Sequence, residues 1–552
     1  MAMTATPQWI ARMYPPSTGR DHLGVTGVSS DQILPSLVPG INVLTYHPRY
    51  HSFYVFLLDE FWKRDRLRTP TEWTKFFRPR EFIFSLAANL CDRPEHGDMR
   101  SIVGGQKTGP LAAQRQEAYD TSFDYIKSDL GGYGLYYRSV MAELGLIYPG
   151  GPGLPYPVDL PTEGRGKRAA AAFREAVQQT EYLGSFFDVD STLVPFDVIQ
   201  EYGRKACLCQ SQLPDAPDRD ELRDAYLHGG TQARPRRETL RLFLDMASQT
   251  EGHEVSQDSF RQLIYYGAAP GGAHYHPRPE VALTHRRWRL YQTREYYAFA
   301  LNALWCHFCD WGLDQGGDVR PTPLADFWEH VEQALDFDAL ASRLNLAPPA
   351  ISAGSRFKQL LEWLTRVVGA DHASFDAACG LGVPLNEHRL YRLANEHPDA
   401  PEVMVAGMIA MLALILLRFG QRELWLREEW SISRMGDNGR LSIHQFLSNL
   451  KRRLERNPPT IYEVAHDLYA DYVILQHQLI ASGKLPENTF RFRREGDRIR
   501  FYSLQNSLAF AASRFDALST TVYELGLCGD MRLPVHSLTN DGQRLLDEGD
   551  VL

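Results

Sequence analysis

The stretch SVMAELGLIYPG, residues 139–150, returns in altered form near the other end of the chain as TTVYELGLCGDM, residues 520–531. Both copies set Glu-Leu-Gly-Leu after a run with helical periodicity and before a turn. The first copy continues through a Pro/Gly-rich insert to LPTEGRGKRAAAAF, the second through a shorter insert to LTNDGQRLLDEG. Each therefore reads as a helix, a glycine stop, a linked pair of short strands, a threonine and a new helix. Leu144 and Leu525 fall where the helix end meets a core. Gly145 and Gly526 supply the left-handed residue that ends a helix, and Leu146 and Leu527 start a strand. Thr162 and Thr539 are placed to restart the chain as a capped helix.

Working outward, the pattern is helical almost throughout. Phe53, Phe56, Leu57, Glu60 and Phe61 recur at helical spacing. EFIFSLAANLCDR predicts a second helix and AAQRQEAYDTSFDYI a third. From about 190 to 420 nearly everything reads as helix. SRFKQLLEWLTRVVG and LADFWEHVEQALDF are amphipathic, and LYQTREYYAFALNALWCHFCDW puts Leu301, Leu304, Trp305 and Phe308 on one face. The best strand signal is NTFRFRREGDRIRFYSL. There Phe490, Phe492, Ile499 and Phe501 alternate with Arg491, Arg493, Arg498 and Arg500 around Glu495-Gly496-Asp497, which predicts a β-hairpin with an apolar and a basic face. The fold class expected is mainly α and multidomain: an N-terminal helical domain over 1–185 with the first module, a helical middle domain over 186–420, and a C-terminal domain over 421–552 with the second module and the basic hairpin.

The 552 residues carry a net charge of -9, with 44% hydrophobic and 23% charged residues, so the chain has the means to bury several cores and is not disordered as a whole. Mild acidity argues against a protein coated in basic patches, while local clusters remain open to nucleic acid. Seven cysteines, an odd number spread over a long chain, favour free thiols and a reducing compartment. The N-terminus lacks the shape of a signal peptide. The uncharged run 403–417 falls short of the ~20 residues that span a bilayer and reads as a core helix. These features predict a cytoplasmic protein without membrane contact.

The closing half of each copy resembles a winged-helix domain, in which a recognition helix ends in Gly-Leu-Ile or Gly-Leu-Val, a wing follows, and Leu-Thr-x-x-Gly opens a last helix. The first copy departs at Leu160-Pro161-Thr162, and its wing is long, with Pro149, Pro152, Pro155 and Pro157. The resemblance implies one helix in the major groove and a wing on phosphate. In the first copy Tyr137, Arg138 and Ser139 would face out, with Arg165, Lys167 and Arg168 close by. In the second, Ser513, Arg514, Ser519 and Thr520 would do so, beside the hairpin arginines Arg491, Arg493, Arg494, Arg498 and Arg500. Winged helices also dock proteins, and the acidic tail LLDEGDVL suits that alternative. The opening stretch DHLGVTGVSSDQILPSLVPGINVLTYHPRYHSFYVFLLDEF, 21–61, resembles the start of certain bacterial proteins found near phage-defence genes. They begin Asp-x-Leu-Gly, then Pro-Gly, then Arg-Tyr before an aromatic helix. That resemblance implies a defence-system component working beside an ATPase or nuclease.

Signals of chemistry are few. IVGGQKTGP, 102–110, departs from the phosphate-loop pattern because Gln106 stands where a glycine should precede Lys107, and it reads as an ordinary loop. His274 and His276, with His285 nearby, Cys306 with Cys309, and Cys207 with Cys209 all lack the paired CxxC spacing of a structural zinc site. They read as surface histidines and core cysteines. Asp188, Asp190 and Asp197 read as loop residues and helix caps. The leading expectation is a non-catalytic DNA-binding or scaffold subunit of an anti-phage defence or DNA-maintenance complex, with no metal or cofactor. One alternative is a metal-dependent nuclease or other hydrolase built on Asp188, Asp190, His274 and His276. Another is a protein adaptor without nucleic-acid affinity.

Overall fold

A computed structural model describes residues 21–64, 67–96, 100–188, 192–369, 383–420, 441–485, 487–502 and 508–551. It is mainly helical, with 62% helix and a few small antiparallel sheets of two or three strands. The chain divides into two compact units that alternate along the sequence. One takes Met1–Ile33, Arg261–Pro270 and Arg286–Ala511; the other takes Leu34–Phe260, Gly271–His285 and Ala512–Leu552. Both Glu-Leu-Gly-Leu copies therefore belong to the second unit, despite their distance in sequence.

In that unit the two copies share their backbone bonding. Gly145 and Gly526 take φ of 68° and 64°, the left-handed conformation that lets a helix stop. Leu146 N–H then reaches back to the Met141 carbonyl (2.9 Å) and Leu527 N–H to the Val522 carbonyl (3.0 Å). Thr162 Oγ1 donates to the Gly145 carbonyl (2.9 Å) and accepts from Gly166 N–H (2.9 Å). Thr539 repeats the pattern with the Gly526 carbonyl (2.8 Å) and Gly542 N–H (3.1 Å). The equivalent of Gly542 is thus Gly166, one residue further from its threonine. At both positions a Cβ would run into a backbone carbonyl, of Leu146 or of Leu527. The link between helices is a short ladder in the first copy, Ile147–Tyr148 against Leu160–Pro161, and a single bridge, Cys528 to Leu538, in the second.

The helix Arg219–His228 lies between the copies with reversed charge logic. Its Asp224 receives Arg165 (2.8 Å) and Arg168 (2.7 Å) from the first copy. Its Arg223 meets Asp541 (2.9 Å) and donates to the Leu525 carbonyl (2.8 Å) of the second. The repeated glutamates have a shared role as well. Glu143 accepts from Gly40 N–H (2.6 Å), and buried Glu524 pairs with His47 Nδ1 (2.6 Å). Both therefore grip the loop that leads into the aromatic helix Arg49–Lys63. Glu-Leu-Gly-Leu is therefore a packing device, used twice on neighbouring parts of one loop.

His47 also faces the Arg100 carbonyl through Nε2 (2.6 Å), so both ring nitrogens meet acceptors and the doubly protonated ring satisfies them. Burial opposes that charge, but Glu524 and the Arg100 carbonyl outweigh it, with Arg532 acting against them, and the pKa is held above its ordinary value. A raised folded pKa gives stability that is complete below the unfolded value of about 6.5 and is lost as pH rises through the folded value. The melting temperature is expected to fall as the pH rises above about 6.5, and His47→Gln is expected to flatten that slope. A slope identical in the variant would refute the assignment.

The first unit is centred on the apolar run 403–417. It forms the Val403–Gly407 turn and the helix Met408–Phe419, buried on all sides. Among the described residues no helix is long and apolar enough to cross a membrane. The predicted hairpin is present as Phe492–Glu495 against Arg498–Phe501, with Phe492, Ile499 and Phe501 buried. A third strand, Thr322–Pro323, adds to its edge against Ile499 and Arg498. The helix expected over AAQRQEAYDTSFDYI is not found. The helix Gly105–Ala113 ends at its first two residues, and Ala118–Asp120 pairs instead with Leu193–Pro195. The Asp120 carboxylate accepts from Ser122 N–H (2.9 Å), a local turn that competes with helix.

Candidate nucleic-acid interface

Exposure and pairing separate the candidate residues. In the first module Arg138 forks onto Asp159 (2.7 and 2.9 Å) and donates to the Gly150 carbonyl (2.5 Å), so it fastens the long link to its own helix. Arg165 and Arg168 are committed to the Arg219–His228 helix as described, and Lys167 pairs with Glu163 (2.7 Å). In the second module Arg514 donates to the carbonyls of Val38 (3.0 Å) and Ile41 (2.7 Å). The outward faces expected of the recognition helices are corrected in part. Tyr137, Ser513, Ser519 and Thr520 are buried, while Ser139 is exposed. The helix Phe515–Glu524 is buried along most of its length because it packs beside the Ala233–Gln249 helix, with Phe515 against Phe243 at 5.9 Å between ring centroids. Such a helix has no free face for a groove.

The hairpin of the first unit is different. Arg491 is buried, contrary to its place in the basic face, and its N–H donates to His477 Nε2 (2.9 Å). Arg500 pairs with Glu495 (2.8 Å). Arg493, Arg494 and Arg498 meet no carboxylate among the described residues. Arg493 lies over the Phe490 ring at 4.6 Å and contacts Asn488, Arg494 donates to the Gly496 carbonyl (2.8 Å), and Arg498 reaches the Pro321 carbonyl at 3.5 Å. Arg494 and Arg498 are exposed. The tight Glu495-Gly496-Asp497 turn, with Gly496 at φ 71°, is what carries these guanidinium groups on one short ribbon.

Of the alternative hydrolase site, the described residues Asp188, His274 and His276 belong to no cluster of metal-ligating side chains found among the described residues. Asp188 is ion-paired with Arg64, His274 is exposed, and exposed His276 exchanges backbone bonds with the Gln249 amide (3.0 and 2.9 Å). Asp190 lies outside the described residues. The IVGGQKTGP stretch, expected as a loop, opens the Gly105–Ala113 helix, with Gly104 at φ 70° as its cap. It borders a cavity of about 680 Å³ in the second unit, and its Lys107 is engaged by Asp124 (3.3 Å).

Sequence reading missed one constellation. Cys207 and Cys209, taken as core cysteines, are buried as expected, but they share their position with Cys91 and His96. Cys91 and Cys209 are 118 positions apart, and only the packing of two helices brings them together. A Cys-x₄-His beside a Cys-x-Cys is the signal that was available. Cys306 and Cys309 are plain core thiols. Cys379 lies outside the described residues.

No protein-family model, no curated protein and no solved structure matches the chain.

Proposed function

We propose that the chain is a non-catalytic scaffold subunit that meets nucleic-acid phosphate through the Arg493, Arg494 and Arg498 edge of its hairpin. The observation that carries this reading is the contrast in pairing. Module arginines Arg138, Arg165 and Arg168 are held by carboxylates, whereas these three hairpin guanidinium groups meet none among the described residues. Each copy runs helix, glycine stop, link, threonine and helix, and its arginines are held inside the unit. The reading continues the expectation of a subunit of an anti-phage defence or DNA-maintenance complex, beside an ATPase or nuclease.

The test is binding of labelled duplex DNA across a salt series. The triple variant Arg493→Ala, Arg494→Ala, Arg498→Ala is expected to bind more weakly at low salt. Its salt slope should be shallower by roughly 0.9 for each phosphate that the variant no longer engages. Arg165→Ala with Arg168→Ala should leave the slope unchanged. A wild-type chain that fails to bind at low salt, or a triple variant with the original slope, would overturn the proposal.

A second reading has an observation of its own. The links of both modules expose apolar side chains: Tyr148 and Leu154 are 45% and 49% exposed in the first, Leu533 and Val535 56% and 83% in the second. Exposed apolar groups on projecting links favour a protein partner. A stable complex lost on Leu533→Ser with Val535→Ser, together with no DNA affinity, would select the adaptor reading.

A further inference from the structure

Two helices of the second unit, Pro70–Asn89 and Phe196–Ala206, approach closely because Gly203 leaves room for the backbone of Ala87. Both end at tight turns. After the first come Cys91 and the single turn Pro94–His96; after the second come Cys207 and the turn Leu208–Gln212. The turns bring one donor atom from each of Cys91, His96, Cys207 and Cys209 within 4.8 Å of one another. Cys91 Sγ and Cys209 Sγ are 3.9 Å apart, and His96 Nδ1 lies 3.3 Å from Cys207 Sγ.

These two distances fit opposite edges of a tetrahedron of ligands. With Zn–S of about 2.3 Å and Zn–N of about 2.0–2.1 Å, tetrahedral zinc sets two sulfurs about 3.8 Å apart, and a sulfur and a nitrogen about 3.6 Å apart. A disulfide fits poorly, since its sulfurs stand about 2.05 Å apart and pairing any two thiols would strand the third. A catalytic Cys–His pair fits poorly too, because Cys207 and Cys209 are 1% and 0% exposed and two further donors converge on the same point. We propose that Cys91, His96, Cys207 and Cys209 form a closed structural zinc site.

The surroundings hold the donors in place. Arg49 donates to the carbonyls of Cys207 and Lys205 (3.1 Å each), which fixes the turn carrying two ligands. Arg204 forks onto Asp92 (2.8 and 2.6 Å), which ties the residue after Cys91 to the helix before Cys207. Four protein ligands leave no position for water or substrate, so the ion fastens two helix ends and takes no part in a reaction. The soft sulfur and imidazole set selects zinc over magnesium or calcium. Three thiols lose their protons as the ion binds, so retention weakens in acid.

The test uses the full chain, purified under reducing conditions without added metal or chelator. Elemental analysis is expected to find about one zinc per chain. Stepwise thiol modification should release that zinc together with the loss of three thiols. Cobalt exchanged into the protein should show the intense visible bands of tetrahedral thiolate coordination. Cys209→Ser should weaken metal retention by at least the ~10–100-fold that loss of a supporting residue costs, and Cys306→Ser should not change it. Because Cys209→Ser carries a folding risk, the cobalt spectrum and the thiol count on wild-type protein decide independently. Natively folded protein without zinc that yields no tetrahedral cobalt spectrum would overturn the proposal. So would iron in place of zinc, or a Cys91–Cys209 disulfide in protein isolated under reducing conditions.

Discussion

Replacing Glu81 by alanine is expected to destabilise the second unit by about 3–5 kcal/mol, among the largest single-residue effects in the chain. Its carboxylate is fully buried and takes hydrogen bonds from Tyr54 Oη (2.5 Å), from the Tyr125 hydroxyl, and from Gly132 N–H (3.0 Å) and Tyr133 N–H (2.9 Å). Alanine would leave two phenols and two amides without that acceptor in a buried site. The cost of several unmet donors exceeds what the smaller side chain returns. Glu81→Gln should fall between, since its amide oxygen still accepts two of the four. Urea unfolding followed by intrinsic fluorescence measures the difference. An alanine variant within about 1 kcal/mol of wild type would mean that water replaces the carboxylate and that the network is not closed.

In the first unit Arg418→Ala is expected to cost a similar 3–5 kcal/mol, because it strands a buried carboxylate. Arg418 lies in the last turn of the apolar helix Met408–Phe419 and pairs with Glu387 at 2.7 Å, with side chains 1% and 0% exposed. Glu387 also accepts from Tyr265 and Tyr266 (3.0 Å each), which ties the short Arg261–Pro270 segment to this unit. Replacing both charges, as Arg418→Met with Glu387→Gln, should recover much of the loss, since a buried pair exchanged for neutral groups is often nearly neutral. A double variant as unstable as Arg418→Ala would show that packing, rather than the uncompensated charge, dominates.

The sequence was legible where a rule acts locally. Gly145 and Gly526 stop helices, Thr162 and Thr539 start them, and the Phe/Arg alternation from 490 to 501 makes a hairpin, because each depends on a few neighbouring residues. It was illegible where tertiary packing assigns a role. Arg138 and Arg165 look like free basic residues in one dimension, and only the approach of Asp159 and Asp224 turns them into struts. Ser519 and Thr520 look like a polar helix face, and only burial beside neighbouring helices removes it. Cys91-x₄-His96 and Cys207-x-Cys209 are each visible as short patterns, but 118 positions separate Cys91 from Cys209 and nothing local joins the two.

The alternation of the two units along the chain bears on how the protein is made. The second unit begins at Leu34 but is finished only by Ala512–Leu552, and the first opens before it and closes inside it. On a ribosome adding roughly 5–20 residues per second, the 34–260 portion waits between a quarter of a minute and a minute for its last helices. During that wait Gly40 already has Glu143, but His47 lacks its partner Glu524. Neither unit is a contiguous segment of the chain, so a nonsense codon between 286 and 511 truncates both.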